Sequence, residues 1–146
     1  QLVARCDLAV AADTAQFSTP GVHIGLFCST PMVALSRNTA NKHAMEMLLT
    51  GDMIPARRAA EIGLVNDAVA GETLQETTME MARKIASKSS MTLATGKRAF
   101  YAQRDMPLAE AYDHASQVMV ENMLAPDAEE GIGAFIDKRT PYWQDR

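Results

Sequence analysis

Along the first half of the chain the apolar positions come in short runs rather than in one long periodic stripe. "QLVARC", residues 1–6, is apolar at Leu2, Val3 and Cys6 and reads as the inside of a helix. "DLAVAAD", 7–13, is a short apolar run between two Asp and suits a strand buried on both faces. Residues 14–31 read as loop, with "QFST" as a short strand. From Met32 to Leu49 the pattern turns helical. Met45, Leu48 and Leu49 follow the i, i+3, i+4 rule, and Gly51 suits the stop. "PARRAAEIG", 55–63, predicts a compact helix with Pro55 in its first turn and Gly63 at its end. "LVNDAV", 64–69, predicts a short strand or extended segment.

After Gly71 the pattern is nearly all helical. Leu74, Thr78, Met81, Ala82 and Ile85 share one face; Leu93, Phe100 and Tyr101 are the apolar members of the next helix. Leu108, Ala111, Tyr112, Ala115, Val118 and Met119 form a stripe on the third. "PDAEEGIGAFIDKR" opens on Pro126 and carries Asp127, Glu129 and Glu130 early, where acids favour the positive end of the helix dipole. A small β part followed by a run of helices predicts an α/β protein with a helical C-terminal portion, divided at 1–70 and 71–146.

Composition narrows the partners. The 146 residues are 47% apolar, enough for one packed core, and carry 14 basic against 18 acidic residues, a net charge of −4. No polyanion-binding surface is expected, so nucleic acid is set aside. The apolar runs are too short for a membrane span. Cys6 and Cys28 have neither CxxC nor metal-ligand spacing, which predicts free thiols, a reducing compartment and no metal site. Ten Met read as adaptable core filler. The chain opens at Gln1 inside a helical pattern, so it is expected to be the C-terminal part of something longer.

The stretch with the look of an active-site loop is "STPGVHIGLFCSTP", 18–31: two Pro, two Gly, a His, a Cys and no acid. Imidazole has a pKa suited to base work, which makes His23 a weak catalytic candidate. Cys28 as a nucleophile would need a lowered pKa, and no base stands beside it in sequence; a small buried hydrophobe is the simpler expectation. Ser29 and Thr30 suit turn or cap duty first, an acyl or water contact second. Glu46 and Asp52 read as salt-bridge or capping residues, His43 and His114 as surface histidines. "TPYWQ", 140–144, holds the single Trp and is expected to pack against the body or a subunit.

"QLVARCDLAVAADTAQFSTPGVHIGL", "AMEMLLTGDMIPARRAAEIGLVNDAV" and "EEGIGAFIDKR" together resemble the crotonase superfamily, the enoyl-CoA hydratase/isomerase family, over nearly the whole chain. The "GLFCSTP" loop resembles one particular branch of it. The resemblance implies the crotonase (ClpP-like) spiral of ββα turns, here its C-terminal portion, with a helical region that drives formation of a homotrimer or a dimer of trimers. It implies an acyl-CoA or enoyl-CoA ligand with no other cofactor, in bacterial cytoplasm or mitochondrial matrix.

Family chemistry makes an enolate from a thioester and holds its oxygen with two backbone N–H groups; both lie, by resemblance, before Gln1. Hydratases of the family add two glutamates, and those positions fall here on Gln1 and Gly21. An amide does not take a proton near neutral pH, and Gly has no side chain. Where hydratases carry "PGAGG", this chain has Cys28, Ser29, Thr30, Pro31 and Met32. Leu26, Cys28 and Ser29 are therefore expected on the acyl-facing wall, and Glu at positions 1 and 21 is expected to restore hydration if the pocket keeps its shape. By the family's Phe-x-x-Lys-Arg ending, Phe135 shapes the acyl pocket or interface and Lys138 reaches the CoA phosphates; an ordinary helix-end Lys is the alternative. Three functions compete: an acyl-CoA enzyme without glutamate-driven hydration, a non-catalytic acyl-CoA binder, and an assembly fragment.

Overall fold

The computed structural model describes residues 1–145, and its chain falls into two compact units, Gln1–Glu80 and Met81–Arg146. The first is the α/β part. It opens on a short helix α1 (Leu2–Arg5), then strand β1 (Val10–Ala12) and strand β2 (Gln16–Phe17). A 3-10 turn at Pro20–Ile24 leads into α2 (Ser29–Ser36) and α3 (Asn41–Thr50). Strand β3 (Ile54–Pro55), helix α4 (Ala56–Glu61) and strand β4 (Asp67–Val69) complete it.

β1 and β4 pair in parallel, Ala11 opposite Ala68, and the intervening helices make the crossover that a parallel pair needs. Asn66 fixes the register. Its backbone N–H donates to the Ala9 carbonyl at 2.7 Å and its Oδ1 accepts from the Ala9 N–H at 2.8 Å. β2 and β3 pair antiparallel, Phe17 opposite Ile54.

The core is built largely of small residues. Ala56 and Ala59 are fully buried where α4 lies on β2, β3 and β4, with Ala44, Met47 and Leu48 from α3 and Val65 around them. Small side chains let the helix come close to the strands; a larger residue at Ala59 would overpack the contact and cost about 1–3 kcal/mol.

Several expectations need correction. The single helix expected over 32–49 is two, because Asn38 ends α2: its Nδ2 donates to the Ala34 carbonyl at 2.8 Å and to Ala4 at 2.7 Å, tying α2 to α1. Pro55 belongs to β3 and caps α4 instead of starting it. The extended segment 64–69 narrows to β4 because Leu64 and Val65 donate their N–H groups back to the Ala59 carbonyl. The methionines are not uniformly core: Met47 is buried, whereas Met45, Met53, Met119 and Met123 are exposed. Gly51 and Gly63 do adopt the left-handed conformation expected of helix stops.

Helix α5 (Leu74–Ala86) carries the chain across the division. The second unit continues with α6 (Ser90–Gln103), α7 (Leu108–Met123) and α8 (Pro126–Ile136). Its charged anchor is Asp127, only 2% exposed. Asp127 accepts the backbone N–H groups of Gln144 at 2.7 Å and Asp145 at 3.1 Å. The Ser89 hydroxyl, then those two amides, hold its carboxyl below the usual range against the opposing effect of burial. The expectation that Asp127 serves the helix dipole therefore misses its main partners. The tail packs as expected, with Trp143 Nε1 donating to the Ser87 carbonyl at 2.9 Å. His114 departs from its surface expectation: its Nε2 is buried, with no hydrogen-bond partner among the described residues.

Glu130 takes both guanidinium nitrogens of Arg139, at 2.6 and 2.9 Å, and the Tyr142 N–H at 2.7 Å. Arg139 first, then Tyr142, lowers its pKa to about 2. A carboxyl depressed on folding contributes stability that is complete above its unfolded pKa and is lost as pH falls through the folded one. Protection of the Tyr142 amide against hydrogen exchange, corrected for intrinsic rates, is therefore expected to fall as pH drops from about 4.5 to about 2. Asp127→Ala should remove the protection of the Gln144 and Asp145 amides already at neutral pH.

Candidate functional site

The loop from Ser18 to Cys28 is held by the end of α3. The Thr19 hydroxyl, 7% exposed, donates to the Met47 carbonyl at 2.7 Å. That carbonyl also accepts the Gly51 N–H at 3.1 Å. His23 Nε2 lies 3.2 Å from the Gly51 carbonyl. The His23 ring thus bridges the 3-10 turn to the helix end, and a Cβ on Gly51 would stand 2.8 Å from its Nε2. Gly51 is required twice over, by its φ of 68° and by that approach.

The loop then closes on itself. The Leu26 N–H donates to the Gly21 carbonyl at 2.9 Å, and the Gly21 N–H donates to Cys28 Sγ at 3.3 Å. Cys28 is half-buried and free, and it caps α2, its carbonyl accepting the Met32 N–H at 2.9 Å. Ser29 starts α2, and its hydroxyl donates to the Phe27 carbonyl at 3.3 Å. Leu26 is exposed, at 62%.

A Cβ placed on Gly21 would stand 2.7 Å from the Leu26 carbonyl oxygen and 2.8 Å from Cys28 Sγ. The first of these is backbone and does not swing aside. Position 21 therefore has no room for a side chain unless the 26–28 segment moves, so the condition attached to Glu at this position, a pocket that keeps its shape, is not met.

Beside the loop lies a cavity of about 210 Å³, lined by Gln1, Val3, Ala4, Gln16, Phe17, Ser18, Thr19, Pro31, Leu35, Met47 and Leu64. None of these side chains ionises near neutral pH. Gln1, Gln16, Ser18 and Thr19 offer neutral hydrogen bonds; the others are apolar. Of the expected site residues, Gln1 faces this cavity. Gly21, His23, Leu26, Cys28 and Ser29 share the adjoining loop and do not line it. Sequence reading missed Thr19 and Gln16; the signal for Thr19 was a hydroxyl just before Pro20 in a loop with little else to anchor it.

Phe135 and Lys138 belong to the second unit. Phe135 is 84% exposed. Lys138 follows α8 at φ 54°, in the left-handed region. Its N–H donates to Phe135 and the Arg139 N–H to Ala134, the hydrogen-bond pair of a Schellman helix stop. Gly is the usual residue there; a β-carbon in that conformation costs about 1–2 kcal/mol. Glu46 pairs loosely with Arg58, 3.9 Å away, and with His43 at 3.8 Å, in keeping with a salt-bridge role.

The model of the enoyl-CoA hydratase/isomerase family matches residues 1–146. The chain is 52% identical over 143 residues to the mitochondrial enoyl-CoA hydratase domain-containing protein 3 of Rattus norvegicus, covering 98% of this chain and 48% of the rat protein. That is the branch which the "GLFCSTP" loop resembles. Among solved structures, enoyl-CoA hydratase of Mycobacterium smegmatis superimposes with a TM-score of 0.94 at 47% identity, over 97% of this chain and 55% of that one. Human enoyl-CoA hydratase domain-containing protein 3 gives 0.92 at 51% identity, over 97% and 56%. The chain spans about half the length of the curated relatives it matches.

Gly21→Ala is expected to lower stability by about 1–3 kcal/mol, the cost of overpacking a closed loop, read as a shift in denaturation midpoint. Gln1→Glu combined with Gly21→Glu in the whole protein should bring no gain in crotonyl-CoA hydration.

Proposed function

The chain belongs to the enoyl-CoA hydratase/isomerase family and has the C-terminal portion of the crotonase fold, and on that premise we propose that the whole protein binds an acyl-CoA or enoyl-CoA thioester without glutamate-driven addition of water. The supporting observation is the closed loop at Gly21, which leaves no volume for an acid where a hydratase of this family needs one. Gln1 at the other position can orient a water or an acyl oxygen but cannot take its proton.

Reactions that need less acid–base help, such as double-bond isomerisation, thioester hydrolysis or decarboxylation, suit a site of this kind. Each develops charge on the thioester oxygen, and one preorganised N–H donor there is worth roughly 3–4 kcal/mol. Phe135 and Lys138 are proposed as CoA-ester contacts, Lys138 toward the phosphates. The absence of both glutamates also favours a second reading, a non-catalytic acyl-CoA binder.

Assembly into a homotrimer or a dimer of trimers is part of the proposal. The stripe on α7 supports it: Leu108, Tyr112, Met119 and Met123 are each more than 60% exposed, an apolar face of the sort that monomers cover. The chain's compartment is proposed as mitochondrial matrix or bacterial cytoplasm, since its relatives include mitochondrial and mycobacterial proteins. Among the described residues no helix is long and apolar enough to cross a membrane.

Crotonyl-CoA incubated with the whole protein and read by mass spectrometry is expected to yield water adduct at least about a hundredfold more slowly than a two-glutamate hydratase does, the usual worth of general acid–base help. Hydration at a hydratase's rate overturns the reading. Saturable binding with no product from any acyl-CoA ester selects the binder. In sedimentation, the unaltered protein should run as a trimer or hexamer, and Met119→Lys should shift it toward smaller species.

A further inference from the structure

Two cations stand side by side at the end of α8, and the structure treats them differently. Arg139 folds back along its own helix, its guanidinium held by both oxygens of Glu130 and lying 3.5 Å from Asp137. Glu130 also holds the Tyr142 N–H at 2.7 Å. The chain is therefore pinned twice to one carboxylate just after Lys138. To reach it, the backbone must reverse at residue 138, and the reversal is what puts Lys138 at φ 54°. Gly is the residue most often found at that position. Lys138 instead keeps a long cationic side chain at the apex, exposed, beside an arginine whose charge is already neutralised. The Schellman stop of α8 thus also holds a charged, exposed side chain at the apex of its turn.

We propose that Glu130 is a positioning residue for Lys138. By gripping Arg139 and the Tyr142 amide it sets the helix-end reversal that presents the ammonium to a phosphate of the CoA moiety. The inference rests on the CoA reading of Lys138 above, and its test is arranged so that the two can fail separately. A bidentate guanidinium–carboxylate pair is suited to the task because its two parallel bonds fix an orientation as well as a distance.

The experiment is titration calorimetry of the whole protein with two ligands, crotonyl-CoA and crotonyl-pantetheine, the second lacking every phosphate. Lys138→Ala is expected to weaken crotonyl-CoA about tenfold, the loss of one charged hydrogen bond, and to leave crotonyl-pantetheine unchanged. Glu130→Gln should weaken crotonyl-CoA about threefold with crotonyl-pantetheine again unchanged, since the charge-assisted grip is lost while Lys138 remains. Arg139→Lys should act like Glu130→Gln, because an ammonium cannot engage both oxygens in the same fork. It serves as the second variant should Glu130→Gln fail to fold. If Lys138→Ala leaves the preference for crotonyl-CoA intact, the CoA reading of Lys138 is overturned. If Lys138→Ala changes that preference but Glu130→Gln and Arg139→Lys do not, or weaken both ligands equally, the positioning role is overturned.

Discussion

The C-terminal turn of α3 is the fixed point of the first unit. A helix leaves its last carbonyls without intrahelical donors, and something else must supply them. Here the supply comes from the loop that follows β2: the Thr19 hydroxyl reaches Met47, and the His23 ring reaches Gly51. Hydrogen bonds that would otherwise go to water are used to fasten a loop of low regular structure. Each is worth only about 1 kcal/mol net; the Met47 carbonyl already accepts the Gly51 N–H, so what the pair chiefly does is position the loop. The position of Gly21, the closure on Cys28 and the start of α2 all follow from this attachment. The His of the candidate loop is therefore used for its geometry.

The second unit solves a similar problem with charge. Its tail has no sheet to join, and its backbone amides are collected by two carboxylates of α8. Asp127 takes Gln144 and Asp145, and Glu130 takes Tyr142 together with Arg139. Burying Asp127 is tolerable because hydrogen bonds from Ser89 and two amides replace its lost hydration. In the first unit a helix end recruits side chains; in the second, helix side chains recruit a backbone. Both arrangements leave candidate functional residues on segments whose own secondary structure would not hold them.

The elements with strong periodicity or strong stop signals were legible in the sequence. The apolar run 7–13 contains β1, Gly51 and Gly63 end their helices, and the four C-terminal helices lie where the 3.6-residue pattern puts them. The family, too, was legible, because "AMEMLLTGD" and "EEGIGAFIDKR" keep their spacing. What could not be read was long-range. No local pattern tells that Asn38 will bind Ala4, 34 positions away, and so split one helical stretch into two. Nothing in "PDAEEG" separates a dipole-seeking acid from one buried under a tail 17 residues later. Nor does a glycine announce that its missing β-carbon is matched by a carbonyl 2.7 Å away. Composition located the candidate loop; only coordinates show that its lack of an acid is enforced by shape.

That enforcement bears on how such a site could change over time. A carboxylate lost by substitution alone can return by one reverse substitution. Gly21 differs, because Cys28 and the Leu26 carbonyl have taken the space that a side chain would need. Any lineage moving one residue at a time back toward an acid at this position must first pass through a strained loop. The path is blocked at its first step unless the 26–28 segment opens beforehand, and opening it gives up the thiol's hold on the Gly21 amide with nothing gained in return. The loop thus behaves as a ratchet, admitting changes that keep it closed far more readily than the return of a side chain at position 21.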